Sequence, residues 1–421
     1  MRTDTTHDTE VLIVGAGPTG LALATTLARA GISPIVVDRL AIAQNTSRAA
    51  VIHAHTLEEL QALGVAPRLV DAGIRLHHFS VRDRDQVLAR LSFDWLPSRY
   101  ACLLMLPQDR TEAILNDALM AAHASVRWGC TLASLREDAD GVDASIISAA
   151  GPETIRARYV VGADGMHSLV RQAAGIGFTG HSYEQSFVLA DVDMAWNPGR
   201  EEVMLFFSPP GPVVVAPLPD NRFRVVAALE NAPAQPGIQD VQRILESRGP
   251  ATGIVRVTRV HWSSRFRLHH RIADHYRKGR LILVGDAAHV HSPAGGQGMN
   301  TGLVDACVLG KLLTRALRDR RPDVILDQYE VLRRPAAKQV LELAERLTTF
   351  ATLKSRPRRI LRNLLFRLVG TVAPVRRRLE LALSGLSRRN AARVRFPDGA
   401  AGASAEAREA SDARWHSRSR A

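Results

Sequence analysis

Residues 10–38, EVLIVGAGPTGLALATTLARAGISPIVVD, constrain this chain more than any other stretch. An apolar strand runs into Gly15-x-Gly17-x-x-Gly20, a helix-forming segment follows, and a second apolar strand ends at Asp38. The first glycine permits a tight turn, the second a close backbone approach to a pyrophosphate, and the third close helix–strand packing. The exposed N–H groups and positive dipole of the helix start favour phosphate. A carboxylate ending the second strand suits ribose hydroxyls. The spacing therefore predicts a βαβ dinucleotide site. The apolar run Val11–Ala30 has the length of a membrane span, but three glycines and a proline in its first half suit strand, turn and helix better.

With 421 residues, 46% of them hydrophobic, the chain can bury a full core and form two domains. Cys102, Cys130 and Cys307 are far apart and offer no CxxC pair, which favours a reducing, cytoplasmic setting. The polar, acidic start MRTDTTHDTE lacks the basic opening of a signal peptide. The net charge of +13 is concentrated: residues 346–421 hold 18 Lys+Arg against 5 Asp+Glu, and the rest of the chain balances. A neutral body argues against a nucleic-acid-binding core.

Helical periodicity is expected over 48–63 and 110–123, with a strand-rich stretch over 126–161. From about 178 to 270, short alternating runs between Pro, Gly and Asp predict an antiparallel sheet. A buried strand returns at RLILVGD (280–286), and helices follow over about 300–316, 322–352 and 357–386. The expected fold is α/β: a discontinuous Rossmann-like nucleotide-binding domain (1–75, 100–178 and 271–350). Into it is inserted a mostly antiparallel β-sheet substrate domain (76–99 and 179–270). A basic helical extension (351–390) and a disordered tail (391–421) complete it.

Two patterns invite competing readings. Gly175-Ile-Gly177-Phe-Thr-Gly180 repeats the glycine spacing, but it follows a helix-like segment and precedes no helical face, so it reads as a loop. In GDAAHVHSPAGGQGMN (285–300), Asp286, His289 and His291 suggest metal ligands, while the glycines suggest backbone amides facing a cofactor. No fourth ligand is in view, and the cofactor reading is preferred, with no metal.

GAGPTG, YVVGADGMHSLVR (159–171) and GRLILVGDAAHVHSPAGGQGMNTGLVDA (279–306), in this order, resemble the class A FAD-dependent monooxygenases, the aromatic hydroxylases related to p-hydroxybenzoate hydroxylase. The resemblance covers about residues 1–350. It implies FAD as cofactor, NAD(P)H and O2 as co-substrates, and hydroxylation of a small aromatic substrate, phenolic or polyketide-like, through a flavin hydroperoxide.

Carried over by position, Gly15, Gly17, Pro18, Thr19 and Gly20 cradle the FAD pyrophosphate, and Asp38 with Arg39 meets the adenosine ribose. Arg48 reaches the FAD, Ala49 to Val51 approach the flavin, and Gln108 and Leu132 join the cofactor set. Asp164 and Gly165 link FAD and NAD(P)H handling, with Ser168 a helix cap and Arg171 a structural ion-pair partner. Asp286 takes the ribityl chain, while Pro293, Gly296, Gly298, Met299 and Asn300 form the loop at the isoalloxazine edge. His55 stands where many relatives carry arginine, and DACVLGKLL replaces their DAxNLxWKL. No catalytic base is singled out: His53, His181 and Tyr183 are loose candidates, for each of which an ordinary structural role is the preferred reading.

A Baeyer–Villiger or epoxidising oxygenase on the same fold, and an FAD-dependent reductase of the geranylgeranyl type, are the alternatives. From another class, the stretch 356–386 could serve a membrane-surface or nucleic-acid-binding module, its leucines forming a stripe beside arginines. Helices packed on the enzyme with solvated arginines are the preferred reading. The region after about residue 350 is accordingly expected to be dispensable for FAD binding.

Overall fold

The computed structural model describes residues 7–42, 49–229, 232–318, 323–353 and 355–394. Its first sheet is built on the strand Thr9–Val14, which pairs in parallel with Gly151–Gly162 on one side and Ile35–Asp38 on the other. Leu281–Leu283 extends the parallel core beyond Gly151–Gly162, and Val126–Trp128 extends it beyond Ile35–Asp38. Val11, Leu12 and Ile13 are completely buried because this strand has neighbours on both edges and helices over its faces. An antiparallel ribbon, Thr131–Glu137 and Val142–Ser148, continues from Gly151–Gly162.

The second sheet has eight strands in the order His289–Val290, Val255–Ala273, Phe178–Trp196, Phe223–Leu229, Val213–Pro217, Glu202–Phe206, His78–Asp83, Gln86–Ser92. Every pairing is antiparallel except that of Glu202–Phe206 with His78–Asp83. It has its own core around Val188, Val192, Phe206 and Val225. The short strand His289–Val290 belongs by sequence to the cofactor motif, yet it pairs with Arg271 and Ile272 of this sheet. The motif is thereby anchored to both sheets.

Several expectations shift in detail. The helix expected over 48–63 is confined to Ala54–Gln61, because Val51–Ile52 is extended and pairs with Leu104 and Met105. The second glycine cluster is a loop only in its first half, since Phe178–Trp196 begins inside it. Gly180 lies in that strand at φ +142°, and a β-carbon there would overlap the His270 carbonyl oxygen. Sheet packing accounts for that glycine without a nucleotide.

The helix Gln297–Arg318 follows the cofactor loop, and Asp327–Ala351 carries Pro335 inside it. The basic extension forms two helices, Arg356–Thr371 and Ala373–Leu383, and a 3-10 segment, Leu386–Ala392. The expected tail lies, beyond Val394, outside the described residues. Among the described residues no helix is long and apolar enough to cross a membrane.

Candidate active site

The glycine turn closes as its spacing requires. Gly15 adopts φ +104°, and a β-carbon there would overlap the Ala163 carbonyl, while one on Gly20 would overlap the Gly15 carbonyl. At Gly17 a β-carbon would meet no protein atom within 4 Å. Its freedom is thus not needed for packing and leaves the backbone open to a ligand. The helix Pro18–Arg29 starts here with proline in its first turn.

Asp38 holds the turn from beside it, Oδ2 accepting from the Ala16 N–H at 2.7 Å and Oδ1 from the Leu40 N–H at 2.9 Å. An ionised carboxylate accepts up to about four hydrogen bonds, so two ties leave acceptor capacity for a ribose. Arg39 is exposed, and the side chain of Leu132 is buried in the core. Arg48 lies outside the described residues.

Gln108 joins the next segment: its Oε1 accepts from the Ala49 N–H at 3.2 Å, and its Nε2 donates to Glu112 Oε1 at 2.9 Å. Burial, with Asp109 and Asp38 nearby, raises the Glu112 carboxyl to a pKa of about 7 against the pull of Gln108. Glu112 belongs to no motif, although it stands four residues after Gln108 on one helix face.

In the middle motif, Asp164 Oδ2 accepts from the N–H groups of Leu169 (2.8 Å) and Val170 (3.3 Å), while its Oδ1 is buried without a hydrogen-bond partner among the described residues. Burial raises its pKa. Gly165 has φ +76° and open space around it. Ser168 caps the following helix, accepting from the Arg171 N–H at 3.0 Å. Arg171 differs from the expected ion-pair role. Its guanidinium donates to the carbonyls of Ala287 and Met166, each at 2.8 Å, and lies 3.9 Å over the Phe178 ring. It ties the second motif to the third.

The third motif forms the tightest cluster. Asp286 is exposed on the 3-10 turn Gly285–Ala287. His289 Nε2 donates to Asp305 Oδ2 at 2.6 Å, and Arg333 Nε donates to Asp305 Oδ1 at 2.6 Å, all three fully buried. Burial alone would raise the Asp305 pKa, but Arg333 and His289 hold it below the usual range. His291 Nδ1 donates to the Ser292 carbonyl at 2.7 Å. Both histidines therefore hold the loop, and no group of three metal-binding side chains occurs among the described residues.

Pro293 accepts from the Gly296 N–H at 2.9 Å, turning the chain through Gly295 and Gly296, both at positive φ. Asn300 Oδ1 accepts from the His53 N–H at 2.8 Å, and its Nδ2 donates to the carbonyls of Val51 (2.9 Å) and Gly296 (2.7 Å). A β-carbon on Gly296 would overlap Val51, whereas one on Gly298 would come only to 3.9 Å from His291. Met299 packs against the first core.

His53 Nε2 donates to the Gly295 carbonyl at 2.9 Å, and its Nδ1 is a buried acceptor without a partner among the described residues. Burial lowers its pKa to about 4, with Arg388 adding to the effect, so the ring is neutral. That makes His53 a weak general base and a good hydrogen-bond acceptor. Tyr183, its hydroxyl likewise unpartnered among the described residues, packs on His181 at 5.1 Å, and His181 stacks on His270 at 5.1 Å. No hydrogen bond joins this group to the 293–300 loop among the described residues.

The C-terminal segment, expected to be dispensable for FAD binding, also contacts the candidate site. Gln297 Nε2 donates to the Leu383 carbonyl at 2.9 Å, Arg388 donates to Gln297 Oε1 at 2.7 Å, and the His55 N–H donates to the Ser384 carbonyl at 3.2 Å. Arg389 pairs with Glu58, and buried Glu380 accepts from the Ser92 N–H at 2.8 Å and from the Trp95 indole. These residues have no local signal beyond an arginine-rich composition.

A strand–turn–helix with its carboxylate, a second acidic loop and a glycine loop anchored to two sheets define an FAD-binding flavoprotein. The FAD binding domain family matches residues 8–344, and the chain belongs to it, within the class A monooxygenases. It is 34% identical over 341 residues to pentachlorophenol 4-monooxygenase of Sphingobium chlorophenolicum, covering 80% of this chain and 63% of the relative. With 6-methylpretetramide 4-monooxygenase of Streptomyces rimosus it shares 34% identity over 389 residues, 90% of this chain and 69% of that one. The fold superposes on the anhydrotetracycline hydroxylase OxyS of Streptomyces rimosus with a TM-score of 0.76 at 32% identity, covering 92% and 77% of the two chains. The chain thus spans roughly two thirds of the length of the curated relatives it matches.

Proposed function

We propose that this chain is an FAD-dependent monooxygenase that uses NAD(P)H and O2 to hydroxylate an aromatic molecule of phenolic or polyketide type. The observation that carries this reading is the loop 293–300, stretched between the first sheet's helix and the second sheet with Gly295 and Gly296 at positive φ. Unused space at Gly17 and Gly165 and the unpartnered buried Asp164 Oδ1 fit a dinucleotide laid along the same edge.

In this reading the amides of Gly15 to Gly20, with Pro18 and Thr19 at the helix start, hold the pyrophosphate. Asp38, with Arg39 following, holds the ribose, while Arg48, Ala49, Gln108 and Leu132 flank the nucleotide. Asp164 and Gly165 serve the cofactor and NAD(P)H, and Asp286 holds the ribityl chain. Pro293, Gly296, Gly298, Met299 and Asn300 lie at the flavin edge. FAD supplies the redox chemistry by which electrons from NAD(P)H activate O2.

The protein's contribution is to keep the site dry and to present positive potential where negative charge develops. The start of the helix Gln297–Arg318 provides partial positive charge through its free amides. Neutral His53 holds the Gly295 carbonyl and so fixes the shape of the turn. The relatives are named for a chlorinated phenol and for tetracycline-type polycycles, which supports an aromatic substrate.

The test is direct. Purified protein should be yellow and should retain FAD. A panel of phenols and polycyclic aromatics should include compounds that accelerate NAD(P)H consumption and gain one oxygen by mass. A colourless protein that rejects FAD overturns the reading, and a product with no added oxygen overturns the monooxygenase part.

A further inference from the structure

We propose that the outer face of the helix Arg356–Thr371 docks this protein on an anionic lipid surface. The helix is seated polar side inward. Arg362 is buried, its guanidinium 3.9 Å over the Phe207 ring and donating to the Phe350 carbonyl at 3.3 Å. Beside it, Asn363 donates to Asp83 at 2.7 Å, and Phe366 packs on Phe207.

That seating turns the aliphatic side chains outward. Ile360 is 63% exposed, Leu361 66%, Leu364 61%, Leu365 42% and Leu368 56%. One exposed leucine needs no explanation, but five apolar residues on one helix face do. The helix cannot roll to cover them without stripping Arg362 and Asn363 of their partners.

The rim identifies what covers the stripe. At roughly 100° per residue, Arg356 and Arg367 flank it on one side and Arg358 on the other. Arg377 and Arg378 are exposed on the next helix beside Val375. Residues 353–379 contain eight arginines, one lysine and no acidic residue. A second copy docking through the same face would bring two arginine rims together with no carboxylate between them. A bilayer rich in anionic headgroups satisfies both features: phosphates meet the arginines, and the aliphatic side chains enter the acyl boundary.

The experiment is co-sedimentation of the full chain with vesicles. Binding to phosphatidylcholine vesicles containing about 30% phosphatidylglycerol should exceed binding to pure phosphatidylcholine by about 10-fold or more. It should fall steeply between about 0.1 and 0.5 M salt. Leu364→Asp/Leu368→Asp should remove about nine tenths of the binding while melting temperature and FAD content stay unchanged. Arg356→Gln/Arg358→Gln, at exposed positions, should abolish the preference for anionic vesicles. Equal or absent binding to both vesicle types overturns the proposal. So does a wild-type dimer in light scattering that Leu364→Asp/Leu368→Asp converts to monomer, since a second copy would then own the face.

Discussion

Arg388 and Gln297 meet at 2.7 Å across ninety-one residues of sequence, the guanidinium donating to the amide oxygen. The same Gln297 donates through Nε2 to the carbonyls of Gly295 and Leu383. The loop proposed to line the flavin is therefore held from behind by the C-terminal segment. Burial lowers the Arg388 pKa to about 10, so it remains charged at neutral pH. A buried cation there favours negative charge on a neighbouring ligand.

Removing that cation should weaken FAD binding. Arg388→Ala leaves a buried amide oxygen unsatisfied, at a cost of about 1–3 kcal/mol. FAD titration by flavin fluorescence should show affinity reduced by roughly one to two orders of magnitude. A chain ending after residue 350 should lose FAD more completely, because Leu383 and Ser384 go with Arg388. Unchanged affinity in Arg388→Ala would show that the loop holds its shape alone.

The glycine turn, Asp38 and the third motif were legible because each is local: strand, turn and helix residues lie within a few positions of one another. The Arg388–Gln297 bond was not, since a non-periodic 3-10 segment carries no record of its distant partner. Its arginines looked like any solvated basic stretch. The direction of Arg362 was hidden for a related reason. Hydrophobic periodicity located the helix Arg356–Thr371, but only the Phe207 and Asp83 surface shows that its polar side faces inward. Glu112 was hidden because helical spacing does not reveal burial.

Acid should destabilise the fold through two histidines. Burial lowers the pKa of both His53 and His291 to about 4, from an ordinary value of 6.5. Both are neutral when folded and charge more readily when unfolded. Their contribution is fully present above pH 6.5, falls as pH drops, and levels off below about 4. The loss is on the order of a few kcal/mol for each. Melting temperature measured from pH 7.5 to 4.5 should fall, and more shallowly in His291→Gln than in the wild type.

Glu112 should act with the opposite sign. Its pKa is raised to about 7 from 4.5, so the folded state binds the extra proton between those values. Stability from this group falls as pH rises through the window, and is lost once the folded carboxyl ionises. Glu112→Gln keeps an acceptor for Gln108 and removes the charge. It should gain about 1–2 kcal/mol at pH 8 and little at pH 5, read by chemical denaturation at the two pH values.

Asp305 is the carboxylate between His289 and Arg333, with both bonds at 2.6 Å. Asp305→Asn leaves the Arg333 guanidinium buried without its counter-charge, at a cost of about 3–5 kcal/mol. Adding Arg333→Met should restore part of that loss. Because His289 begins the loop anchored on the second sheet, the single variant should also release FAD more readily than its melting point alone predicts. A loss that the second substitution does not relieve would place the role of Asp305 outside the ion pair.

Gly17 and Gly20 separate folding from ligand binding within one turn. A β-carbon at position 20 would overlap the Gly15 carbonyl, so Gly20→Ala must shift the strand–helix junction and should lower the melting temperature even without cofactor. Position 17 has no protein atom within 4 Å, and its φ of −69° is ordinary for alanine. Gly17→Ala should therefore fold normally as apoprotein. If the pyrophosphate lies against that backbone, its affinity for FAD should nonetheless drop by about 10-fold or more, since a methyl group would stand where the phosphate approaches. Wild-type FAD affinity in Gly17→Ala would move the dinucleotide away from this turn and undo the placement of the whole site.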